Sequence, residues 1–202
     1  MAAPDPFAAI AAALARPGAA SSDHDLNPGP APAAPGRDGL RPAGVLVGLV
    51  DRGGGEAEVI LTKRASGLKH HPGQIAFPGG KVDPGDGGPV GAALREAAEE
   101  VGLPAGHATV LGTMPPHETV TGFLVTPVVA RVAPFVPVPE AGEVEEAFGV
   151  PLRHVLDPAN YVVERRDWMG RERRYYAVPW GPYYIWGATA RILRALADRV
   201  AQ

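Results

Sequence analysis

The segment from Pro89 to Val101 limits, more than any other, what this chain can fold into. Proline suits the first turn of a helix, and Gly102 directly after the segment is a typical helix stop. Apolar residues recur between them at helical spacing, at Val90, Leu94, Ala97 and Val101. The pattern predicts a helix over residues 89–101 whose apolar stripe packs on the rest of the protein.

The regions around this helix predict mixed α/β order. Two apolar runs separated by a triple-glycine turn indicate a strand pair, and a Gly/Pro-rich loop over residues 67–88 leads into the helix. The predicted strands are Val45–Val50, Val59–Thr62, Thr109–Thr113, Leu124–Val132 and Tyr175–Val178. A last helix is predicted from Ile185 to Val200.

The first 42 residues differ in composition from the remainder. A short helix is predicted over residues 5–16, with Asp5 as its cap and Pro6 in its first turn. Half of residues 27–42 are proline or glycine, which predicts a flexible connector. We therefore expect an N-terminal segment, residues 1–42, and a catalytic domain, residues 43–202. The first helix could cap that domain, reach a partner or remain unattached.

Charge and cysteine content exclude several function classes. The chain has 19 basic and 22 acidic residues, a net charge of −3, so neither nucleic acid nor a membrane surface is an expected partner. It has no cysteine, which excludes disulfides, thiolate zinc sites and a cysteine nucleophile. No apolar run is long enough to span a membrane and no targeting signal is visible, so a cytoplasmic location is predicted.

The predicted helix carries three carboxylates. Glu96, Glu99 and Glu100 stand at i, i+3 and i+4, so they project from one face and repel one another. Oxygen ligands of this kind select Mg²⁺ or Mn²⁺. The alternative is a solvated acidic face on which Arg95 bridges to Glu99. The loop Phe77–Lys81 favours the metal site, because its paired glycines let the backbone approach an anionic ligand or the helix.

At these residues the chain resembles the Nudix hydrolase family. The end of the family's box, Arg-Glu-x-x-Glu-Glu-x-Gly and an apolar residue, is matched by residues 95–103. Its front differs: Asp86 stands six residues after Gly80 and nine before Arg95, where the family has glutamate eight before the arginine. One residue is extra there, and no metal role is assigned to Asp86.

The resemblance covers roughly residues 43–176 and implies an α/β Nudix fold, a mixed β-sheet sandwiched between helices. It implies Glu96 and Glu100 as the leading ligands of Mg²⁺ or Mn²⁺, with Glu99 as a further ligand or water orienter. Arg95 would position these carboxylates through its planar guanidinium.

Residues 61–80 resemble the signature of the coenzyme A pyrophosphatase branch of this family. Two positions differ, since Ala65-Ser66 reverses the usual order and Lys69 replaces arginine. Lysine keeps the charge without bidentate geometry, which predicts weaker discrimination for the 3′-phosphate. The resemblance implies a substrate-binding set: Lys63, Arg64, Lys69, Gly73, Phe77, Gly79 and Gly80.

The branch implies the reaction. A metal-activated water would attack the diphosphate of coenzyme A, or of acyl-CoA or oxidised CoA, and release 3′,5′-ADP and 4′-phosphopantetheine. The nearest rival is hydrolysis of ADP-ribose or NADH, and another is a Nudix-fold binding module without turnover. A homodimer is expected only at the level of the family.

Other polar and aromatic residues remain less informative. His70 and His71 are unassigned, as a feature of the turn before Pro72. For His117 and Glu118 an exposed turn is favoured over contact with substrate. A solvated loop is likewise favoured over an extra ligand or base for Glu143, Glu145 and Glu146. The aromatics of the last third are expected mostly in the core or a dimer contact: Trp168, Tyr175, Tyr176, Trp180, Tyr183, Tyr184 and Trp186.

Overall fold

A computed structural model describes residues 5–27, 39–69, 71–168 and 170–202, and of residues 168 and 171 only the backbone. Most of the predicted connector and His70 lie outside these residues. The helices are α1 (Pro6–Ala15), α2 (Pro89–Val101), α3 (Leu152–Leu156) and α4 (Ala188–Val200). The strands are β1 (Ser21–Ser22), β2 (Arg41–Gly53), β3 (Glu56–Arg64), β4 (Ile75–Ala76), β5 (Gly79–Lys81), β6 (Ala108–Thr113), β7 (His117–Glu118), β8 (Phe123–Val132), β9 (Val144–Pro151), β10 (Val162–Trp168) and β11 (Arg171–Ala177). None of the described helices is long and apolar enough to cross a membrane.

Nine of the described strands form one mixed sheet. Its main path is β1-β7-β8-β2-β3-β4, with β5 paired to β2, β6 to β8 and β9 to β3. Strands β2 and β8 run parallel from Arg41 opposite Phe123 to Val50 opposite Val132, whereas β2 and β3 are antiparallel. Strands β10 and β11 form a separate hairpin. The predicted mixed sheet is therefore confirmed.

Strand β2 separates two hydrophobic cores. Because side chains alternate across a strand, Leu46 and Val50 pack with α2, whereas Val47 and Leu49 pack with α1 and α4. Each sheet face is thus covered by helix, as a mixed sheet sandwiched between helices requires. This architecture confirms the expected α/β fold.

Helix α2 has the predicted bounds and most of the predicted stripe. Gly102 adopts a left-handed conformation with φ of 66°, which ends the helix. Leu94, Ala97 and Val101 pack in the core as predicted, whereas Val90 is 37% exposed. Ala92 and Ala93 are buried in addition. The helix approaches β2 so closely that a Cβ on Gly44 would lie 1.9 Å from the carbonyl oxygen of Pro89. Even the Cβ of an alanine at Gly44 would therefore overlap the helix backbone.

Other boundaries differ from the prediction where local contacts decide them. The last helix begins at Ala188, not Ile185, because Trp186 bridges to Ala177 and Gly187 has a φ of 67°. The predicted Tyr175–Val178 strand is the end of β11, which stops at Ala177. The loop over residues 67–88 contains the short strands β4 and β5, and β9 was not predicted.

The N-terminal helix packs on the sheet. Phe7 and Ile10 are buried in the core that α4 also lines, and Ala13 is buried as well. The guanidinium of Arg199 on α4 donates to the carbonyl of Ala13 over 2.8 Å and also to those of Leu14 and Arg16, so it caps the end of α1. Of the roles left open for this helix, packing on the domain is the one the structure describes.

His117 is fully buried, so the prediction of an exposed turn was wrong. It lies in β7, which pairs with β1 from the N-terminal segment. Its Nδ1 lies 2.9 Å from Ser21 Oγ and its Nε2 lies 3.1 Å from Asp23 Oδ1. These partners stand almost a hundred residues earlier in the chain, and they supply the hydrogen bonds that let a histidine be buried.

Candidate active site

The glycine-rich loop and helix α2 meet at two glutamates. Strand β5 is held by antiparallel pairing with β2, from Val45 opposite Gly79 to Ala43 opposite Lys81. The Gly79 N–H donates to Glu100 Oε2 over 3.1 Å. A Cβ on Gly80 would lie 2.1 Å from Glu96 Oε1. A side chain at position 80 would therefore displace the Glu96 carboxylate, and a Cβ on Gly79 would lie 2.5 Å from the Gly44 carbonyl oxygen, so both positions require glycine.

The two glutamates lie in a site that disfavours their charge. Glu100 is 5% exposed, and burial, with a further contribution from the charge of Glu96, raises its pKa to about 7. The Gly79 N–H and the positive charge of Arg64 oppose this rise. Burial also raises the pKa of Glu96, against the effect of Arg95. A cation bound between these carboxylates would relieve this cost.

Glu99 differs from the other two in depth. Its side chain is 52% exposed, and Arg95 Nη1 donates to its Oε2 over 2.9 Å. The i+4 bridge considered as the alternative to a metal site is thus present. It coexists with the buried pair, because Glu96 and Glu100 lie deeper along the same helix.

Arg95 is fixed mainly by Asp86. The guanidinium donates from Nε to Asp86 Oδ1 over 2.7 Å and from Nη2 to Oδ2 over 3.1 Å, and from Nη1 to Glu96 over 3.0 Å. The Asp86 side chain is 5% exposed, and Arg95 lowers the pKa of its carboxyl. Asp86 thus orients the arginine. Its position six residues after Gly80 was the available sequence signal, but the extra residue before Arg95 obscured it.

The donors fit a hard divalent cation by chemistry, since they are carboxylate oxygens with a partly desolvated environment. Among the described residues, no three acidic or histidine side chains already converge as a metal-binding group. Arg95 instead holds Glu96 and Glu99. A cation would therefore compete with Arg95 for these oxygens.

The three basic residues of the upstream signature, Lys63, Arg64 and Lys69, have different surroundings. Lys63 Nζ forms an ion pair with Glu145 Oε1 at 2.6 Å, whereas Arg64 is half-buried and its charge acts on Glu100. Lys69 is exposed on the following loop. That loop is closed at its base, where Gly73 N–H donates to the Arg64 carbonyl and Arg64 N–H donates to the Gln74 carbonyl, each over 3.0 Å.

The remaining residues of the signature occupy distinct positions. Phe77 is buried in the core lined by α4, so it fixes the glycine-rich loop to this core. Gly73 has a φ of 70°. His71, left unassigned above, is exposed with a φ of 53° and accepts from the Gln74 N–H in a turn. The structure thus brings Arg64, Gly79 and Gly80 to the carboxylates, whereas Lys69 is exposed on the loop.

The three glutamates predicted in a solvated loop have separate surroundings. Glu143 precedes β9, and its charge contributes to the raised pKa values of Glu96 and Glu100. Glu145 and Glu146 lie within β9, so the loop prediction was wrong for both. Glu146 accepts a hydrogen bond of 2.5 Å from the hydroxyl of Tyr183, whose ring stacks on Phe148.

The C-terminal aromatics divide between core and surface. Tyr176, Trp180 and Tyr183 pack against the core lined by α4, as expected. Tyr184 is 44% exposed beside Tyr175.

Residues 40–171 match the family described as NUDIX domain. A protein of Cronobacter sakazakii named "Uncharacterized Nudix hydrolase NudL" is 42% identical over 166 residues, 80% of this chain and 84% of that protein. The protein of that name from Salmonella paratyphi B is 43% identical over 164 residues, 79% and 83% of the two chains. A MutT/nudix family protein from Enterococcus faecalis has a similar fold, with a TM-score of 0.51 and 15% identity over 80% of this chain and 62% of that one.

Proposed function

The chain belongs to the NUDIX domain family, and we propose that its substrate is coenzyme A, whose diphosphate bond it hydrolyses. Membership makes it a Nudix hydrolase, a pyrophosphohydrolase that acts on a small nucleoside diphosphate derivative. The proposed products are 3′,5′-ADP and 4′-phosphopantetheine. Acyl-CoA and oxidised CoA are further proposed substrates.

The choice of coenzyme A as substrate rests on the position of the upstream signature, residues 61–80. Arg64 ends β3 beside Glu100, and the loop after it returns to Gln74 before β4 and β5 lead to Gly79. The branch signature and the box therefore border one site. Coenzyme A has a diphosphate and a separate 3′-phosphate, and the chain offers a half-buried cation, Arg64, and an exposed one, Lys69.

Glu96, Glu99 and Glu100 would hold Mg²⁺ or Mn²⁺. When bound, such a cation neutralises phosphate oxygens and makes water a stronger nucleophile at neutral pH. The chain's own residues prepare the site. Gly79 and Gly80 bring the loop backbone against the glutamates, and Arg95, held by Asp86, fixes where Glu96 and Glu99 point.

Product analysis tests this proposal. Purified protein with Mg²⁺ or Mn²⁺ is incubated with coenzyme A, dephospho-CoA, ADP-ribose and NADH. We expect metal-dependent release of 3′,5′-ADP from coenzyme A, abolished by a chelator. Cleavage of ADP-ribose or NADH with coenzyme A left intact would refute the substrate and leave the reaction class standing, whereas no cleavage at all would favour a binding module.

Glu100→Gln is the matched variant for the same assay. Glutamine keeps an oxygen that can accept from the Gly79 N–H but cannot carry the charge a cation requires. We expect metal-dependent hydrolysis to be lost. We also expect the melting temperature without metal not to fall, because removing a buried, unfavourable charge does not weaken the fold. Full activity in this variant would exclude Glu100 as a metal ligand.

A further inference from the structure

Strands β3 and β9 pair irregularly where they reach the candidate active site. Lys63 lies opposite Glu146 and Arg64 lies opposite Val144, so Glu145 is an extra residue on β9. An extra residue of this kind bends a strand and re-aims a side chain. Glu145 is consequently available to the neighbouring strand end instead of continuing the regular pairing.

Lys63 forms an ion pair with Glu145. The two charged groups lie 2.6 Å apart, and Glu145 raises the pKa of Lys63. Lys63 in turn lowers the pKa of Glu145, with a smaller contribution from Ser66. The ion pair therefore joins the end of β3 to β9 at the start of the loop over residues 65–73, where the Ala65 N–H also donates to the Glu143 carbonyl over 2.9 Å.

Arg64 has a different environment one residue further on. Among the described residues no carboxylate lies within ion-pair distance of its guanidinium. Its strand pairs with β4, which leads to Gly79 and its hydrogen bond to the buried Glu100, and the charge of Arg64 opposes the rise in the pKa of Glu100. Its backbone closes the base of the loop through Gly73 and Gln74. A half-buried, planar guanidinium beside the carboxylates is suited to bidentate contact with a diphosphate.

We propose that the two neighbouring cations have separate tasks: Arg64 contacts the diphosphate of the substrate, and Lys63 is a positioning residue that acts through Glu145. This inference rests on the proposed function, since it concerns the same site. It narrows the substrate-binding set, because Lys63 sets the position of the loop without touching the substrate. Its charge is balanced by Glu145 before any phosphate arrives.

Arg64 is tested with coenzyme A and dephospho-CoA, which share the diphosphate and differ in the 3′-phosphate. For Arg64→Gln, kcat/KM should fall by the same factor for both substrates, about 10- to 100-fold for loss of a charged hydrogen-bonding pair. Arg64→Lys should fall less and again equally, and it supplies the test if the glutamine variant does not fold. Arg153→Gln is the control for loss of an arginine, because the Arg153 side chain on α3 is 76% exposed. A fall confined to coenzyme A, or none, would overturn the assignment.

Lys63 is tested by exchanging the charges of the pair. Lys63→Glu alone and Glu145→Lys alone place like charges together, so both should lose activity mainly through KM as the loop shifts. The double variant restores an opposite pair and should recover to within a few-fold of the unmodified protein. If Lys63 contacts the substrate, glutamate there repels phosphate and the double variant stays as inactive as Lys63→Glu, which would refute the positioning role.

The two proposals fail in different ways. If coenzyme A is not cleaved but ADP-ribose or NADH is, the proposed substrate is wrong, and the same variants are measured with that dinucleotide, which also contains a diphosphate. Loss of its cleavage in Arg64→Gln, with recovery in the charge exchange, supports the division of tasks without coenzyme A. If kcat/KM of Arg64→Gln is unchanged with every dinucleotide that is cleaved, the division of tasks between Arg64 and Lys63 is rejected.

Discussion

At the scale of single residues, the site depends on how Arg95 is held. Its guanidinium has several carboxylates within reach, and the bidentate contact with Asp86 sets its plane. Asp86 itself is fixed by the N–H of Asp83, which donates to Oδ2 over 2.7 Å. A turn in the loop thus determines an arginine on the helix, and through it the oxygens of Glu96 and Glu99.

Replacing Asp86 should therefore reduce activity although Asp86 need not touch metal or substrate. Asp86→Asn keeps the shape but removes the charge that orients Arg95, and we expect a fall of about 10- to 100-fold in kcat/KM, as for other residues that orient metal ligands. Asp83→Asn is the matched control, because Asp83 is 3.7 Å from Arg95 with its side chain 67% exposed. Equal losses in both variants would show that loop charge, not orientation, is responsible.

Spacing along the helix predicted which carboxylates share a face but not their depth. Glu99 and Glu100 are neighbours, yet one is half exposed and the other buried, because the Gly79 N–H and the sheet lie beside Glu100. That difference comes from the loop and β2, which are distant in the chain. The tasks of Lys63 and Arg64 were equally hidden, since the extra residue on β9 is visible only in the strand pairing.

At the scale of elements, α2 is placed by its close approach to β2. Pro89 at the start and Gly102 at the end are local signals, which is why its bounds could be predicted. Strand β9 could not be predicted, because its start contains charged residues and the strand is stabilised by pairing with β3. The burial of Ala92 and Ala93 could not be predicted either, because it depends on the contact between α2 and β2. Small residues on the helix and Gly44 on the strand allow this close approach.

Gly44→Ala should separate α2 from the sheet. The added Cβ would lie 1.9 Å from the Pro89 carbonyl oxygen, which is backbone and cannot rotate away. We expect a loss of about 1–3 kcal/mol in the free energy of unfolding, typical of overpacking, together with reduced activity. Chemical denaturation measures it. Gly85→Ala is the control, because a Cβ there meets no atom within 4 Å; similar losses in both would reject the steric explanation.

At the scale of the whole molecule, the two ends of the described chain complete one core. Helices α1 and α4 cover the same face of the sheet, and Arg199 joins them through the carbonyls at the end of α1. The sequence predicted both helices. It could not predict their contact, or the burial of His117 by Ser21 and Asp23, because both join parts of the chain that lie far apart in sequence.

Ile10→Ala should therefore destabilise the whole protein and not α1 alone. Ile10 is fully buried in the core shared with α4, so we expect a loss of about 2–5 kcal/mol in one cooperative unfolding transition. Ala9→Ser on the exposed face of the same helix should change stability little. Separate transitions, or a negligible loss for Ile10→Ala, would show that the helix is not part of the folding unit.

The packing of α1 also has a consequence for synthesis. Its apolar face packs on β6, residues 108–113, and on α4, residues 188–200. Because both elements follow α1 in the chain, they are translated after it, and Phe7 and Ile10 stay accessible until they have been made. This segment of the nascent protein is consequently open to chaperone binding while its partners are still being synthesised.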